Sequence, residues 1–382
     1  MSGLVLVLPA NAAPGPEARP VQTATEEVAM GSVIEPAPGA GIQAGTTDPV
    51  AGVPATAPAL TVTRTDTRTF WLVGVTWAHD PTVTDTLVHL RVQHPDGHWG
   101  EWHQLTADEA LHRPDAGPEA PLRGGTEPLW TGPSTGVEAR LVTGSGAQPT
   151  DVRLDLVDPG SSPTDATLGS PEITDTAEAA AAMPPVHSRA QWGADESIRT
   201  WRPAYAATIK AGTIHHTADS NAYTAVDVPR ILRSIYRYHA VSRGWGDIGY
   251  HVIADKFGRL WEGRYGGLAS TVIGAHAGGF NTGTFGVSML GNYELVAPTP
   301  ELVGAVADFL AWKLALFHIN PVGLVALTSG GGSTVRYPAG TTVRLPTIFA
   351  HRDTGRTACP GQHVYARMPE IRNLVAARMA GT

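Results

Sequence analysis

Histidines and one cysteine gather in three short segments of the second half of the chain. The segments are "TIHHTADSN" from Thr213, "GAHAGGFN" from Gly274 and "AHRDTGRTACPG" from Ala350. The last contains Cys359, the only cysteine among the 382 residues, so no disulfide can form within the chain. Zinc prefers imidazole and thiolate ligands, and a catalytic zinc keeps three protein ligands and one open position. Two histidines and Cys359 would satisfy this count, although spacing alone is a weak signal, because a single histidine is more often a hydrogen-bonded structural residue.

The elements that must position these residues have mixed periodicity. Apolar residues follow helical spacing from Ile231 to Tyr238 and again from Leu302 to Leu310, while "TIHHT", "YHVIAD", "FGVSML" and "PTIFAH" have the character of strands. Strands that alternate with helices predict an α/β domain, which we place at residues 184–382. The segment Val322–Leu345 is predicted to be an inserted surface hairpin or loop, because it is rich in glycine and turn residues.

The first half of the chain has the alternation of β-strands. Val88, Leu90 and Val92 alternate with polar residues, which is typical of a half-buried strand. Several such runs with glycine and proline between them predict an antiparallel β-sandwich-like domain at residues 60–158. Core packing is the favoured interpretation of its tryptophans, and a sugar-stacking face is the alternative. These tryptophans are Trp71, Trp77, Trp99, Trp102 and Trp130.

Two segments rich in alanine, proline, glycine and threonine are predicted to be linkers, the first of them disordered, at residues 14–59 and 159–183. Residues 1–13 form a partial signal-like segment, with an apolar run from Leu4 to Leu8 and a small-x-small site after it. The first positive residue is Arg19, so we expect a longer signal to precede Met1 and the protein to be secreted.

The charge of the chain excludes some partners. The net charge is −8, which disfavours general binding to nucleic acid or to anionic membranes. No apolar run reaches the roughly 18 residues that a membrane-spanning helix needs, so we expect no transmembrane segment.

The second half of the chain, from Val186 to Met379, resembles the zinc-dependent N-acetylmuramoyl-L-alanine amidases of the type 2 amidase and peptidoglycan recognition protein family, and in particular secreted actinobacterial members. The resemblance is specific because seven motifs occur in the family's order. These motifs are "HSRAQWGA", "TIHHTA", "GWGDIGYH", "DKFGRLWEGR", "GAHAGGFN", "GVSMLGNY" and "HRDTGRTACPG". The resemblance implies a mixed central sheet flanked by helices.

The same resemblance implies a metal site and a catalytic tyrosine. The family's zinc ligands match His215, His351 and Cys359, and its tyrosine matches Tyr250. Because neighbouring strand residues point to opposite faces, the residue after His215 is not expected to bind the same ion. Phage members carry a lysine where this chain has Thr357, which we include as a candidate catalytic residue.

The resemblance further implies hydrolysis of the amide bond between N-acetylmuramic acid and the L-alanine of peptidoglycan. We expect the muramyl peptide stems to be the partner, the cell wall or the extracellular space to be the location, and the protein to be a monomer. The alternative is a non-catalytic module that binds peptidoglycan, which the presence of all three ligands and the tyrosine disfavours. The candidate substrate contacts are His276, Asn281, His239, Trp245 and Arg264.

Overall fold

A computed structural model describes residues 19–32, 35–43, 59–80, 82–107, 122–173 and 181–381. The predicted signal-like segment 1–13 lies outside the described residues. Of the described helices, none combines the length and the apolar character that crossing a membrane requires.

Two antiparallel sheets form the amino-terminal half. Their strands are β1 (Ala24–Gly31), β2 (Ala40–Gln43), β3 (Ala59–Arg64), β4 (Phe70–Ala78), β5 (Val83–Gln93), β6 (His103–Thr106), β7 (Arg123–Gly125), β8 (Leu129–Ser134), β9 (Gly136–Gly146) and β10 (Val152–Asp158). One sheet has the order β1-β10-β4-β7 with β8 also paired to β4, and the other has the order β2-β3-β9-β5-β6. Leu90, Leu141 and Leu154 from both sheets meet in one buried cluster, which makes this half a sandwich. The predicted antiparallel β-rich character is confirmed.

The tryptophans of the sandwich divide between its interior and its surface. Trp77 and Trp130 are buried, as the packing interpretation expects. Trp102 is 46% exposed, and the guanidinium of Arg91 lies 4.9 Å from its ring centroid. The exposed indole lies on the polar outer side, whereas the buried rings fill apolar space.

The prediction of a disordered linker over residues 14–59 is wrong where β1 and β2 form. β1 pairs with β10 from Ala24 opposite Asp158 onward. Only two of its apolar side chains, Val28 and Met30, are buried, because the strand lies at the edge of the sheet, and so its composition shows no strong strand pattern. Positions 44–58 lie outside the described residues.

The predicted second linker, 159–183, is also packed in part. Pro163–Asp165 forms a 3₁₀ turn with a capping box at Ser162. The carboxylate of Asp165 is buried and lies 2.8 Å from the guanidinium of Arg233. An ion pair that is nearly closed to water fixes this segment against the second half of the chain. Positions 174–180 lie outside the described residues.

The carboxyl-terminal half contains a six-stranded mixed sheet in the order β11-β14-β13-β15-β12-β18 and a separate hairpin of β16 and β17. Its strands are β11 (Val186–His187), β12 (Ala211–His216), β13 (Val252–Ala254), β14 (Leu260–Glu262), β15 (Thr284–Met289), β16 (Leu324–Thr328), β17 (Thr342–Pro346) and β18 (Ile348–Ala350). Its helices are α1 (Val228–Arg237), α2 (Pro300–Leu316), α3 (His351–Thr354), α4 (Gln362–Ala366) and α5 (Met368–Ala380). A π-helical turn, Tyr238–Ser242, extends α1. The hairpin of β16 and β17 confirms the hairpin predicted at Val322–Leu345.

Helices cover both faces of this sheet. On one face Phe309 and Leu310 of α2 pack with Val287 of β15. On the other face Ile231 of α1 packs with Ile253 of β13. Both helices place apolar residues three and four positions apart, which gives each a continuous apolar side.

The two halves share a core. Three buried apolar residues of the sandwich belong to the same cluster as α1 and the π-helical turn. They are Leu72, Trp130 and Val157. Burial of large apolar side chains on both sides produces a close contact between the sandwich and the mixed sheet domain.

Candidate metal centre

Three side chains with metal-binding atoms meet at one edge of the mixed sheet. His215 lies near the carboxyl end of β12, and His351 begins α3 directly after β18. β12 and β18 are parallel neighbours, so their carboxyl ends meet at the same edge. Cys359 follows α3 in the next loop and completes the group. One ring nitrogen from each histidine and the sulfur of Cys359 all lie within 4.8 Å of one another.

The ring of His215 is held on both sides. Its Nδ1 lies 3.7 Å from Cys359 Sγ, and its Nε2 lies 3.0 Å from Nδ1 of His276. The backbone N–H of His216 donates to Cys359 Sγ at 3.3 Å. The ring of His216 is used elsewhere, because its Nδ1 accepts a hydrogen bond from the backbone of Tyr293.

Burial sets the protonation of the histidines. Loss of solvation lowers the pKa of His215 well below its usual value, and the neighbouring His351 and His276 lower it further. Burial likewise lowers the pKa of His276. A neutral imidazole offers a free lone pair, so the group suits a metal ion rather than a proton.

The loop that carries the cysteine is held by local hydrogen bonds. Thr357 Oγ1 accepts from the backbone N–H of Cys359 at 3.1 Å. The backbone N–H of Arg352 donates to the carbonyl of Cys359 at 2.9 Å. The side chain of Thr357 therefore orients the cysteine, and its predicted catalytic role stays a prediction.

Tyr250 lies next to the metal-binding atoms. Its ring centroid is 5.3 Å from that of His215. His239 packs on the other side, with its ring centroid 5.8 Å from Tyr250 and 4.4 Å from Trp245. His239 Nδ1 accepts from the backbone N–H of Gly249 at 3.3 Å. His239 and Trp245 thus form a buried support beneath the tyrosine.

Asn281 and Arg264 also have contacts within the domain. Asn281 Oδ1 accepts from the backbone N–H groups of His276 and Ala277 at 2.9 and 2.8 Å, which shapes the loop that carries the histidine. The guanidinium of Arg264 donates to the carbonyl of Ile248 and lies 3.7 Å from the ring centroid of Trp201.

The five predicted substrate contacts are all at most 3% exposed. The structure buries them around and beneath the metal-binding atoms, where they have little surface to offer a large ligand. Their contact with substrate therefore stays a prediction. The residues are His239, Trp245, Arg264, His276 and Asn281.

Two supporting arginines escaped the sequence analysis. Arg189 lies 3.1 Å from the buried carboxylate of Asp247, three residues before Tyr250. Arg336 of the inserted hairpin donates to the carbonyls of Arg352 and Gly355 at 2.7 and 2.8 Å, beside the cysteine loop. Both contacts join residues far apart in sequence, so no local pattern could have indicated them. The acidic residue between glycines in "GWGDIGY" was the one available signal.

Comparisons with known proteins match both halves. A family model described as N-acetylmuramoyl-L-alanine amidase matches residues 205–362, and one described as Rv3811 N-terminal galactose-binding domain-like matches residues 24–167. Peptidoglycan-recognition protein SC1a/b of Drosophila simulans is 30% identical over 180 residues, which cover 47% of this chain and 82% of that protein. The N-acetylmuramoyl-L-alanine amidase of Homo sapiens is 30% identical over 191 residues, covering 49% of this chain and 28% of that protein.

Part of the chain is also similar to solved structures. The structure of Drosophila PGRP-LB wild-type covers 47% of this chain and 90% of its own, at 23% identity and a TM-score of 0.37.

Proposed function

Because the chain belongs to the type 2 amidase and peptidoglycan recognition protein family, we propose that it is a zinc-dependent amidase. Its reaction is hydrolysis of the amide bond between N-acetylmuramic acid and the L-alanine of peptidoglycan. The observation that carries the proposal is the meeting of His215, His351 and Cys359, with their metal-binding atoms within 4.8 Å of one another.

The chemistry of this group fits zinc. Two imidazoles and a thiolate are common zinc ligands, and three of them leave one position for the reacting molecule. Burial keeps His215 neutral, and the N–H of His216 donates to the sulfur of Cys359. The chemistry that zinc supplies when bound is Lewis acidity, which activates water and polarises a carbonyl group.

His276 is proposed to fix the orientation of His215. Nδ1 of His215 faces Cys359, and its Nε2 faces Nδ1 of His276. If Nε2 carries the proton of the neutral ring, it donates a hydrogen bond to His276 Nδ1, and Nδ1 of His215 keeps its lone pair for a metal. A partner that holds the second nitrogen of a ligand histidine selects its tautomer and its ring orientation. We propose this as the role of His276, in addition to any contact with substrate.

Tyr250 is proposed to stabilise the transition state. Its hydroxyl group donates to the oxygen of the scissile carbonyl as negative charge develops there. The residues that hold Tyr250 are already in place. The backbone N–H of Arg264 donates to the backbone carbonyl of Tyr250 at 2.8 Å, and His239 packs against the tyrosine ring. A donor that is already in place loses little energy to reorganisation, which makes such contacts effective.

A non-catalytic peptidoglycan-binding module is the second candidate. It is favoured by the burial of the site, since the three metal-binding residues and Tyr250 are at most 7% exposed. A complete metal-binding group opposes it, because pure binding of a muramyl peptide does not need a thiolate. In either case the proposed partner is the peptidoglycan stem, and the proposed location is outside the cell or in the cell wall.

The two candidates are separated by incubation of the full chain with defined muropeptides. The amidase proposal expects mass spectrometry to find free stem peptide with zinc and none after treatment with a chelator. Cys359→Ala should release none under either condition, while His98→Ala, at an exposed turn of the sandwich, should behave as wild type. Cleavage of glycan bonds, or stem release by Cys359→Ala at the rate of wild type, would overturn the proposal. Binding without cleavage would establish the second candidate.

A further inference from the structure

The sandwich contacts the π-helical turn through a buried tyrosine. Tyr238 has no exposed surface, and its hydroxyl lies 2.9 Å from the carbonyl of Thr126 and 3.3 Å from that of Val75. Its proton is therefore directed to the backbone of the sandwich. A methyl group at Gly74 of β4 would overlap the ring of Tyr238, so the strand admits the ring only because position 74 is glycine.

Arg243 makes a second contact between the same two parts. Its guanidinium donates to the carbonyls of Arg123 and Thr126 at 3.2 Å each, and it is 1% exposed. The backbone N–H of Arg123 donates in return to the carbonyl of Arg243 at 3.3 Å. The guanidinium also lies 4.7 Å from the ring centroid of Trp245. Tyr238, the first residue of the turn, and Arg243, the residue that follows it, are thus both anchored on backbone groups of the sandwich.

The π-helical turn also holds the segment that ends at Tyr250. The carbonyls of His239 and Ala240 accept from the backbone N–H groups of Trp245 and Gly246 at 2.9 and 3.1 Å. These carbonyls lie in the last turn of the helix, where carbonyls lack intrahelical partners, and π-helical turns are frequent at functional sites. The ring of His239 then contacts Tyr250, as described above.

From this chain of contacts we infer that the sandwich is a working part of the active site. Tyr238 and Arg243 are positioning residues, which hold the segment Gly244–Tyr250 so that the tyrosine faces the metal-binding group. The inference rests on the proposed amidase function for its effect on catalysis. It does not rest on that function for its effect on the order of the segment.

The experiment compares two variants of the contact with two matched controls in the full chain. Tyr238→Phe removes only the hydroxyl that reaches the sandwich, and Gly74→Ala pushes on the ring from the sandwich side. Tyr236→Phe is the control on the same helix, because that hydroxyl bonds to Asp195 within its own domain at 3.3 Å. Gly41→Ala is the control in the sandwich, because an added methyl group would meet only Thr61 Oγ1, at 3.7 Å.

Hydrogen exchange gives the first readout, which needs no enzymatic activity. Backbone amides of residues 244–250 should exchange faster in Tyr238→Phe and Gly74→Ala than in wild type, and at the wild-type rate in both controls. If this segment exchanges at the wild-type rate in Tyr238→Phe, the inference is overturned. If Gly74→Ala fails to fold, Tyr238→Phe alone decides, since it removes a single oxygen atom.

Steady-state kinetics give the second readout. We expect kcat to fall roughly tenfold in Tyr238→Phe, with KM little changed and zinc content equal to wild type, because displacing a catalytic group by a fraction of an ångström weakens contacts made in the transition state. An equal loss in Tyr236→Phe would show general destabilisation and would overturn the positioning role. Absence of amidase activity in the wild type would overturn the proposed function, while the exchange data would still decide the inference.

Discussion

The interior of the sandwich and the edge of the mixed sheet bury different kinds of side chain. Between the two sheets of the sandwich most buried residues are apolar, such as Leu90, Leu141 and Leu154. At the carboxyl edge of the mixed sheet the buried residues include His215 and His276, together with arginines and aspartates in paired contacts. Both regions are closed to water, but among the described residues the second brings together side chains that could hold a metal ion.

This difference follows from the cost of burying polar groups. An unpaired polar group loses about 1–3 kcal/mol when it is taken out of water, so an interior that only needs stability excludes such groups. In the sandwich, the buried Asp155 and Thr126 do not break this rule. Thr126 accepts from Tyr238, and Asp155 is hydrogen-bonded to Thr76 at 2.8 Å, near the contact with the other domain. At the proposed site and at the surface that supports it, buried polar groups are held by hydrogen bonds.

The largest expected effect is the loss of activity when a metal-binding residue is removed, compared with the loss of stability when a core leucine of the sandwich is removed. His351→Ala should lower the rate of stem release by more than about a hundredfold, because loss of even an outer-shell partner of a metal ligand costs about 10–100-fold. Leu154→Ala in the sandwich should lower the free energy of unfolding by about 3 kcal/mol through the cavity it leaves, with kcat close to wild type. The measurements are zinc content, stem release and urea unfolding of both variants. Retention of full activity by His351→Ala would break the comparison.

Tyr250→Phe tests the second catalytic role. It should lower kcat by about a hundredfold, the typical loss of one preorganised donor, while zinc content and KM change little. Tyr236→Phe is the matched control, because its hydroxyl bonds to Asp195 away from the metal-binding group. A Tyr250→Phe variant with the kcat of wild type would remove the tyrosine from the mechanism and leave the metal-binding group as the only proposed catalytic part.

The metal-binding group was within reach of sequence analysis, and its support was not. The motifs around His215, His351 and Cys359 name the residues, and the strand pattern places the first two at strand ends. The contact of Tyr238 with Thr126 joins positions 112 apart in the sequence. Periodicity describes one element at a time, so it cannot indicate which two elements will touch.

The errors in the fold have a physical cause as well. β1 was missed because it is an edge strand with two buried apolar residues, so its sequence is dominated by polar and small residues. The segment after β10 has the composition of a linker because it is held largely by polar contacts, such as Asp165 with Arg233 and Gln191 with Ser170, rather than by apolar periodicity. A segment that is held by polar contacts has no regular sequence pattern, whereas a half-buried strand has alternating apolar residues that can be recognised.

A moderate effect is expected where the two domains meet at Asp219. Its Oδ1 accepts from the backbone N–H groups of Trp130 and Ser220, and burial raises the pKa of Asp219 to about 7. The folded protein therefore holds a proton that an aspartate in the unfolded chain loses near its usual pKa of 3.8. The free energy of unfolding should fall as the pH rises from about 4 to about 7, because unfolding releases this proton and a higher pH favours the release.

Asp219→Asn should remove this pH dependence. Because asparagine does not ionise, the variant should exceed wild type in stability at about pH 8 by on the order of 2 kcal/mol, with little difference at about pH 4. Urea unfolding at both pH values measures the effect, and Asp66→Asn at an exposed turn of the sandwich is the control. An equal response of the two variants would show that burial between the domains does not control the ionisation of Asp219.

The smallest effect distinguishes support from catalysis at Thr357. If its hydroxyl only orients the cysteine, Thr357→Ala leaves the N–H of Cys359 without its present acceptor, at a cost of about 1 kcal/mol. Zinc affinity should then fall by about fivefold, while kcat at saturating zinc stays within about twofold of wild type. A titration of zinc against a competing chelator, together with kinetics at saturating zinc, separates the two quantities. A loss confined to kcat would contradict this and make Thr357 a catalytic residue. It would place one more functional group at the carboxyl edge of the mixed sheet, beside His215, His351 and Cys359.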